Sequence, residues 1–538
     1  MSSTHEHPYG SARPATLAEI SRAGLFKKGG QPFGFYSGRE LFHHNMAGMA
    51  IYGGAGSGKS TTALAPMIMS GAASVFALDV KGELLSITLD GFVHLGIPVY
   101  ILNPYRLHGI PGHTVSLLSH LVPNSQTLVG DSRRMWNALL PDSSGSNNRF
   151  FDEKGRFWGD AITRGLVHEV GYVSFPMLFD IVNMIRSDWD AWLDRAANIA
   201  AHSPPDVEAA LLEMIKMNTG EARTYDSVMS GITNALAFMA DPALRATFVD
   251  DHHADFSFDV FTQHSGPPPV VFLVMPPELL TPNAAIVRQC FSTLRTVKQR
   301  APHARPVYPI LDEAAALEQF PEIAEFFSIG RGFNFCPIVC YQDIGQVQRN
   351  LGQSGAMTLS ANAAIELYLG GGIRDYQTAK LLSDRLGYQT IATDEKLVQE
   401  RARKATRLAL HRAIFEGADP FQMGIELQQN RFEAQHTRKQ RRALMEPDEI
   451  LALGADKTLT LAGGYQLMPF LADKIPYYQR RTLAGRFFPN PYVQRDMHSI
   501  PPKPPNPAMT PARFVRLAAG FIRSTSALPA SMSTPASA

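Results

Sequence analysis

The sequence predicts an α/β fold: a mostly parallel sheet sandwiched by helices, interrupted by an inserted all-α domain. Three observations predict it. Short apolar runs alternate with segments of helical spacing, a glycine-rich loop joins the first run to a helical stretch, and the strand signal fades between about Leu121 and Phe248 before returning. At 538 residues the chain exceeds what one hydrophobic core organises, so more than one domain is expected.

The first apolar run is Met49–Tyr52, followed by GGAGSGKSTTALAPMIM, a strand-loop-helix unit. A second run, Ala73–Leu78, ends at Asp79, and a third, Val99–Leu102, ends at Asn103-Pro104. In the strand-poor stretch, Asp206–Met217 and Val228–Met239 carry apolar residues at helical spacing. Strands resume at Val270–Val274, Val307–Leu311, Pro337–Tyr341 and Ile365–Leu369, each separated by helical sequence, which completes the sheet. After Tyr492 the composition turns to Pro, Ser, Ala and Thr, too poor in core-forming residues to fold alone; one short helix fits at Pro511–Ile522.

Hydrophobic residues are 45% of the chain, and 50 Lys+Arg nearly cancel 49 Asp+Glu, which excludes a disordered protein and any global attraction to nucleic acid. Polyanion contact therefore needs a local patch. Arg401-Ala402-Arg403-Lys404 with Arg407 and Arg412, and Arg438–Arg442, are basic clusters that read as solvated faces or as such patches. The 3 cysteines cannot build a disulfide framework and read as reduced thiols of a cytoplasmic protein. No run reaches the roughly 18 apolar residues of a membrane span, and the first residues lack a secretion signal. The 17 histidines show no metal-binding spacing.

The chemistry concentrates in Gly53-Gly54-Ala55-Gly56-Ser57-Gly58-Lys59-Ser60, which fits G-x-x-x-x-G-K-[ST]. Glycines let backbone N–H groups converge on phosphate oxygens, and the helix start adds positive potential. These residues and the adjoining Thr61 are the candidate ATP-binding set, with Lys59 on the β- and γ-phosphates and the Ser60 hydroxyl on Mg2+. Tyr308–Leu311 ends in Asp312-Glu313; Asp312 is the second candidate metal ligand and Glu313 the group that polarises the attacking water. Glycine-flanked Arg331 is a candidate cation for the transition state of a neighbouring subunit. Gln342 reads as a γ-phosphate sensor or a polar strand end, and Asp79-Val80-Lys81-Gly82-Glu83 ends its strand at the same sheet edge. This reading requires the Lys59 loop and the Asp312 tip on neighbouring strands, with the arginine on the same edge. The chain then divides into a lead-in arm (1–48), a nucleotide-binding domain in two parts (49–120 and 251–492), the helical insertion (121–250) and a disordered tail (493–538).

The order of these motifs resembles the coupling proteins of type IV secretion, the conjugative TraG-type ATPases. The resemblance spans about residues 10 to 490. It begins at Gly10-Ser11-Ala12-Arg13-Pro14-Ala15 and passes through the glycine loop, Asp79–Glu83 with Thr88, Arg156-Phe157-Trp158, Asp241-Pro242 and Val274-Met275-Pro276-Pro277. It continues through Leu311-Asp312-Glu313, Arg331-Gly332, Tyr341-Gln342-Asp343, Asn362-Ala363, Thr378-Ala379 with Ser383, Pro447–Ile450 and Lys474-Ile475-Pro476-Tyr477-Tyr478. Asp343 stands where the family commonly has a small hydroxyl residue, and Phe333-Asn334 alters the glycine spacing after Arg331. The resemblance implies a RecA-like P-loop NTPase that assembles as a homohexamer, binds ATP and Mg2+ through Lys59, Ser60, Asp312 and Glu313, and uses Arg331 in trans. It further implies relaxase-bound DNA or effector proteins as cargo and inner-membrane secretion components as partners. The family's N-terminal membrane anchor has no counterpart here, so the expectation is a cytoplasmic protein, either of a membrane-free branch or docked at the inner membrane through a partner that supplies the anchor. Two other functions fit the same motifs: a nucleotide-controlled docking module for protein cargo, and an FtsK-like DNA pump outside secretion.

Overall fold

The computed structural model describes residues 9–141, 149–393, 396–415, 425, 428 and 438–492; the tail expected at 493–538 and its short helix lie outside them. The chain forms two compact units. One comprises Thr16–Gly372, Gly454–Leu467 and the described residues from Leu471 on; the other comprises residues up to Ala15, Ile373–Leu453 and Met468–Phe470.

The strands are β1 (Gln31–Tyr36), β2 (Arg39–His43), β3 (Met49–Tyr52), β4 (Ser74–Asp79), β5 (Val99–Leu102), β6 (Val115–Ser116), β7 (Phe248–Val249) and β8 (Phe256–Ser257). They continue with β9 (Val270–Val274), β10 (Val307–Leu311), β11 (Ile338–Tyr341), β12 (Ile365–Leu369), β13 (Tyr388–Thr393), β14 (Arg438–Ala443), β15 (Lys457–Leu461) and β16 (Phe470–Asp473). Among the described residues an 11-stranded sheet runs β2-β1-β16-β15-β12-β3-β11-β10-β4-β9-β5. From β12 to β5 every pairing is parallel. Helices cover both faces, so β3, β4, β9, β10, β11 and β12 are buried at every residue and read as continuous apolar runs. Tyr52 of β3 stacks on Tyr368 of β12 at 4.5 Å between ring centroids, while Phe76 of β4 packs edge-on against Phe291 of helix Ala284–Arg300 at 4.9 Å.

The alternating α/β reading matches this parallel block strand for strand. The lead-in arm differs from expectation. Residues 31–43 form a hairpin whose two-residue turn, Ser37-Gly38, takes φ of 49° and 73°, the doubly left-handed geometry that fits the twist of paired strands. This hairpin extends the sheet through β16, with Phe35 opposite Asp473. The strand order also corrects the expected adjacency: β11 lies between β3 and β10.

The strand-poor stretch is helical: Leu128–Leu139, Arg149–Val170, Phe175–Ser187, Trp189–Ala201, Pro205–Gly220, Ala222–Ala235 and Pro242–Thr247. Trp136, Trp158 and Trp192 are fully buried among these helices. Gly159 lets its helix approach Trp136, because an added Cβ would lie 2.4 Å from the indole ring. Parallel bridges from β6 to β7 and β8 tie the two ends of the insertion together.

In the second unit, Asp375 caps helix Tyr376–Leu386 by accepting from the Thr378 amide at 2.7 Å, and β13 pairs antiparallel with β14. The two basic clusters belong here. Arg401, Arg403, Lys404, Arg407 and Arg412 are exposed on helix Lys396–Phe415, and the Arg441 guanidinium lies 3.5 Å above the Tyr388 ring.

Candidate nucleotide site

β3 delivers the chain at Tyr52 into the glycine loop. Gly56 and Gly58 adopt φ of 76° and 90°, which only glycine takes without strain. Gly53 is required for room, since a Cβ there would sit 2.6 Å from Ser57 Oγ. The loop closes on itself through the Ser57 amide, which donates to Gly54 O at 3.2 Å, and is clamped from outside by the Gly54 amide donating to Gly372 O at 2.9 Å. The following helix opens as a widened π turn, Lys59–Leu64, before becoming α-helical at Ala65. Lys59 Nζ donates to Gly53 O at 2.7 Å, which holds the ammonium over the loop.

The carboxyl ends of β11, β10 and β4 stand beside this loop. Asp312 keeps some solvent contact but lies deep among protein atoms, and burial pushes its carboxyl up to about 7 against the opposing pull of Lys59. Lys59 thus acts electrostatically on Asp312, although β11 lies between their strands. Burial also raises Glu313, again opposed by Lys59, and Glu313 accepts a hydrogen bond from the Gln342 side chain. Asp79 is fully buried; burial pushes it to about 7, and it accepts from the amides of Glu83 at 3.1 Å and Leu85 at 2.8 Å, anchoring the start of helix Glu83–Leu95. The nearby Asp312 carboxylate raises Asp79 further, as a like charge in a low-dielectric setting does.

The structure thus gathers Gly53–Thr61, Asp312, Glu313 and Gln342 on one edge. Arg331 is elsewhere. Helix Glu322–Ile329 carries the chain back from that edge, so the turn Gly330–Phe333 arrives at the amino ends of the strands. There the Phe335 amide donates to Gly330 O at 3.0 Å and the Val307 amide, at the start of β10, to Asn334 O at 2.9 Å. The expectation of loop, carboxylates and arginine on one edge of one chain fails for this reason; Arg331 is exposed at the opposite edge. Asp343, in place of the family's hydroxyl residue, caps helix Ile344–Asn362 by accepting from the Gln346 amide at 2.8 Å.

Three contributors were missed. Gly372 closes on the loop, Lys474 Nζ donates to Ser57 O, and Arg480 Nη2 donates to Thr62 O. The Gly370-Gly371-Gly372 run after a strand was a usable signal, and Lys474 opens a stretch that the family resemblance marked without assigning it a role; Arg480, more than 400 positions downstream of Thr62, had none.

The residues present fit a nucleotide phosphate and its magnesium. Ser57 Oγ is buried without a hydrogen-bond partner beside the glycine cradle, and a lysine faces a buried acid.

Among the described residues no single helix is long and apolar enough to cross a membrane. The family model for type IV secretory system conjugative DNA transfer matches residues 15–409. The VirD4 protein of Rhizobium radiobacter is 22% identical over 526 residues, covering 94% of this chain and 68% of the relative. The conjugative coupling protein TrwBdeltaN70 superposes with a TM-score of 0.60 at 16% identity, covering 87% of this chain and 93% of that one. TrwB in complex with ADP and Mg2+ gives 0.61 at 15%, covering 90% and 96%. The chain has the RecA-like architecture of those structures and belongs to the type IV secretion coupling protein family of conjugative DNA transfer.

Proposed function

We propose that this coupling protein hydrolyses Mg2+-ATP and uses the cycle to move relaxase-bound DNA toward a secretion channel, working as a homohexamer docked at the inner membrane through partner proteins. The observation that carries the reading is the convergence of Lys59, Asp312, Glu313 and Gln342 on one sheet edge. The similar structures of TrwB, in complex with ADP and Mg2+ and with a non-hydrolysable ATP analogue, support it.

The amides of Gly54–Ser60 and the start of the following helix cradle the phosphates. Lys59 exchanges its bond to Gly53 O for phosphate oxygens. Ser60 and Asp312 would hold the metal, which would supply neutralisation of the phosphate charge. Glu313, oriented by Gln342, accepts the proton of the attacking water. Arg331, at the far edge of its own sheet, serves only a neighbouring subunit's site.

ATP turnover measured with and without single- and double-stranded DNA tests this. Lys59→Ala is expected to lower turnover by about 10²-fold or more while leaving the melting temperature in place. Turnover that ignores Lys59 removes the site. Turnover that ignores DNA in a nucleotide-competent protein instead favours a docking module for protein cargo.

A further inference from the structure

We infer that Lys474–Tyr492 is a strap that positions the nucleotide loop, with Lys474 and Arg480 as its positioning residues; the inference rests on the nucleotide site proposed above. Lys474 Nζ donates to Ser57 O and to Gly370 O, both at 2.9 Å. Arg480 is buried, with Nη2 on Thr62 O at 2.7 Å, Nε on Ile475 O at 2.9 Å and Nη1 on Glu40 Oε1 at 2.9 Å. Lys59 and Ser60 therefore lie between two backbone carbonyls, Ser57 O and Thr62 O, each held by a cation from the same distant segment.

Thr62 sits inside the π turn, where the backbone departs from the regular helical ladder and is free to take an outside donor. Gly370 O ties the end of β12 to the loop through the same ammonium, so Lys474 and Gly372 O each hold the loop at a separate point, Ser57 O and the Gly54 amide. Beyond Arg480 the strap continues along the next strand end. Tyr477 is fully buried, the Phe488 amide donates to Ile87 O at 3.0 Å, Asn490 Nδ2 donates to Glu83 Oε1, and Tyr492 donates to Lys81 O at 2.9 Å. One segment thus spans the loop and the Asp79–Glu83 turn, the two backbone elements flanking the site.

A strap needed only for stability would satisfy itself with apolar contacts. This one desolvates an ammonium whose direct partners are neutral carbonyls, an arrangement that costs stability. A polyanion bound on the other side of the loop lowers that cost, which gives Lys474 a part in nucleotide affinity, while Arg480, paired with Glu40, acts by holding the backbone at Thr62.

The test uses the full chain, a fluorescent ATP analogue, steady-state kinetics and amide hydrogen exchange of residues 53–62 without nucleotide. Lys474→Met and Arg480→Lys are expected to weaken analogue binding and raise the KM for ATP about tenfold, with kcat changed less than about threefold. Exchange across the loop is expected to quicken about tenfold, and Lys474→Arg to restore most of both effects. Should one variant fail to fold, the other decides. Folded variants with wild-type affinity and wild-type exchange overturn the strap. If the wild-type protein itself binds no nucleotide, the site reading fails, and the exchange measurement alone still decides whether the strap holds the loop.

Discussion

Gly372→Ala tests the clamp on the nucleotide loop while leaving every candidate phosphate-binding residue unsubstituted. A Cβ at this position would lie 2.5 Å from Ser57 Cβ, 3.0 Å from Gly53 Cα and 3.0 Å from Gly54 N. Carbon atoms pack at about 3.5 Å or more, so the loop must retreat by about 1 Å. Two of the three obstacles are backbone atoms, and no rotamer change relieves them. Overpacking of this kind costs about 1–3 kcal/mol, and stretching the Gly54–Gly372 hydrogen bond costs about 1 kcal/mol more. A displacement of that size at a site built on position is expected to weaken nucleotide binding by about 10²-fold. Titration with a fluorescent ATP analogue and a melting curve measure the two effects. Gly130→Ala is the control: nothing lies within 4 Å of its added Cβ in helix Leu128–Leu139, so it leaves binding alone and stabilises by up to about 1 kcal/mol. Binding by Gly372→Ala within twofold of wild type would refute the clamp.

Glu313→Gln keeps the shape and the contact with Gln342 but removes the base; kcat is expected to fall about 10²- to 10⁴-fold with analogue binding retained, and an unchanged kcat would dismiss Glu313 as the base. Asp343→Ala removes the cap of helix Ile344–Asn362 and is expected to cost about 1 kcal/mol in urea unfolding, with Asp343→Ser recovering most of it. Burial lowers the imidazoles of His43 to about 4 and His120 to about 3, so both fold neutral while the unfolded chain takes up their protons below about 6.5. Their contribution is complete above pH 6.5 and declines as the pH falls toward those values, by about 2 kcal/mol each at pH 5. A His43→Asn/His120→Asn double variant is expected to flatten the acid limb of the stability profile; parallel profiles would show that the histidines do not drive it.

Local sequence determined a large part of this protein. Strands buried on both faces must be apolar throughout, which is why β3, β4, β9, β10, β11 and β12 were legible, and a phosphate cradle needs glycines at fixed spacing before a lysine, which marked residues 53–60. The edge hairpin β1–β2 left a weaker trace, because its strands carry Arg39 and Glu40 and lie outside the doubly covered block. Tertiary structure alone decided the rest. Strand order is set by how crossover helices pack, so nothing in the chain announced that β11 would separate β3 from β10, or that helix Glu322–Ile329 would return Arg331 to the far edge. The grip of Lys474 and Arg480 on the loop joins residues 417 and 418 positions apart, and a hydrogen bond across such a separation is visible only once the backbone has folded both partners into one place.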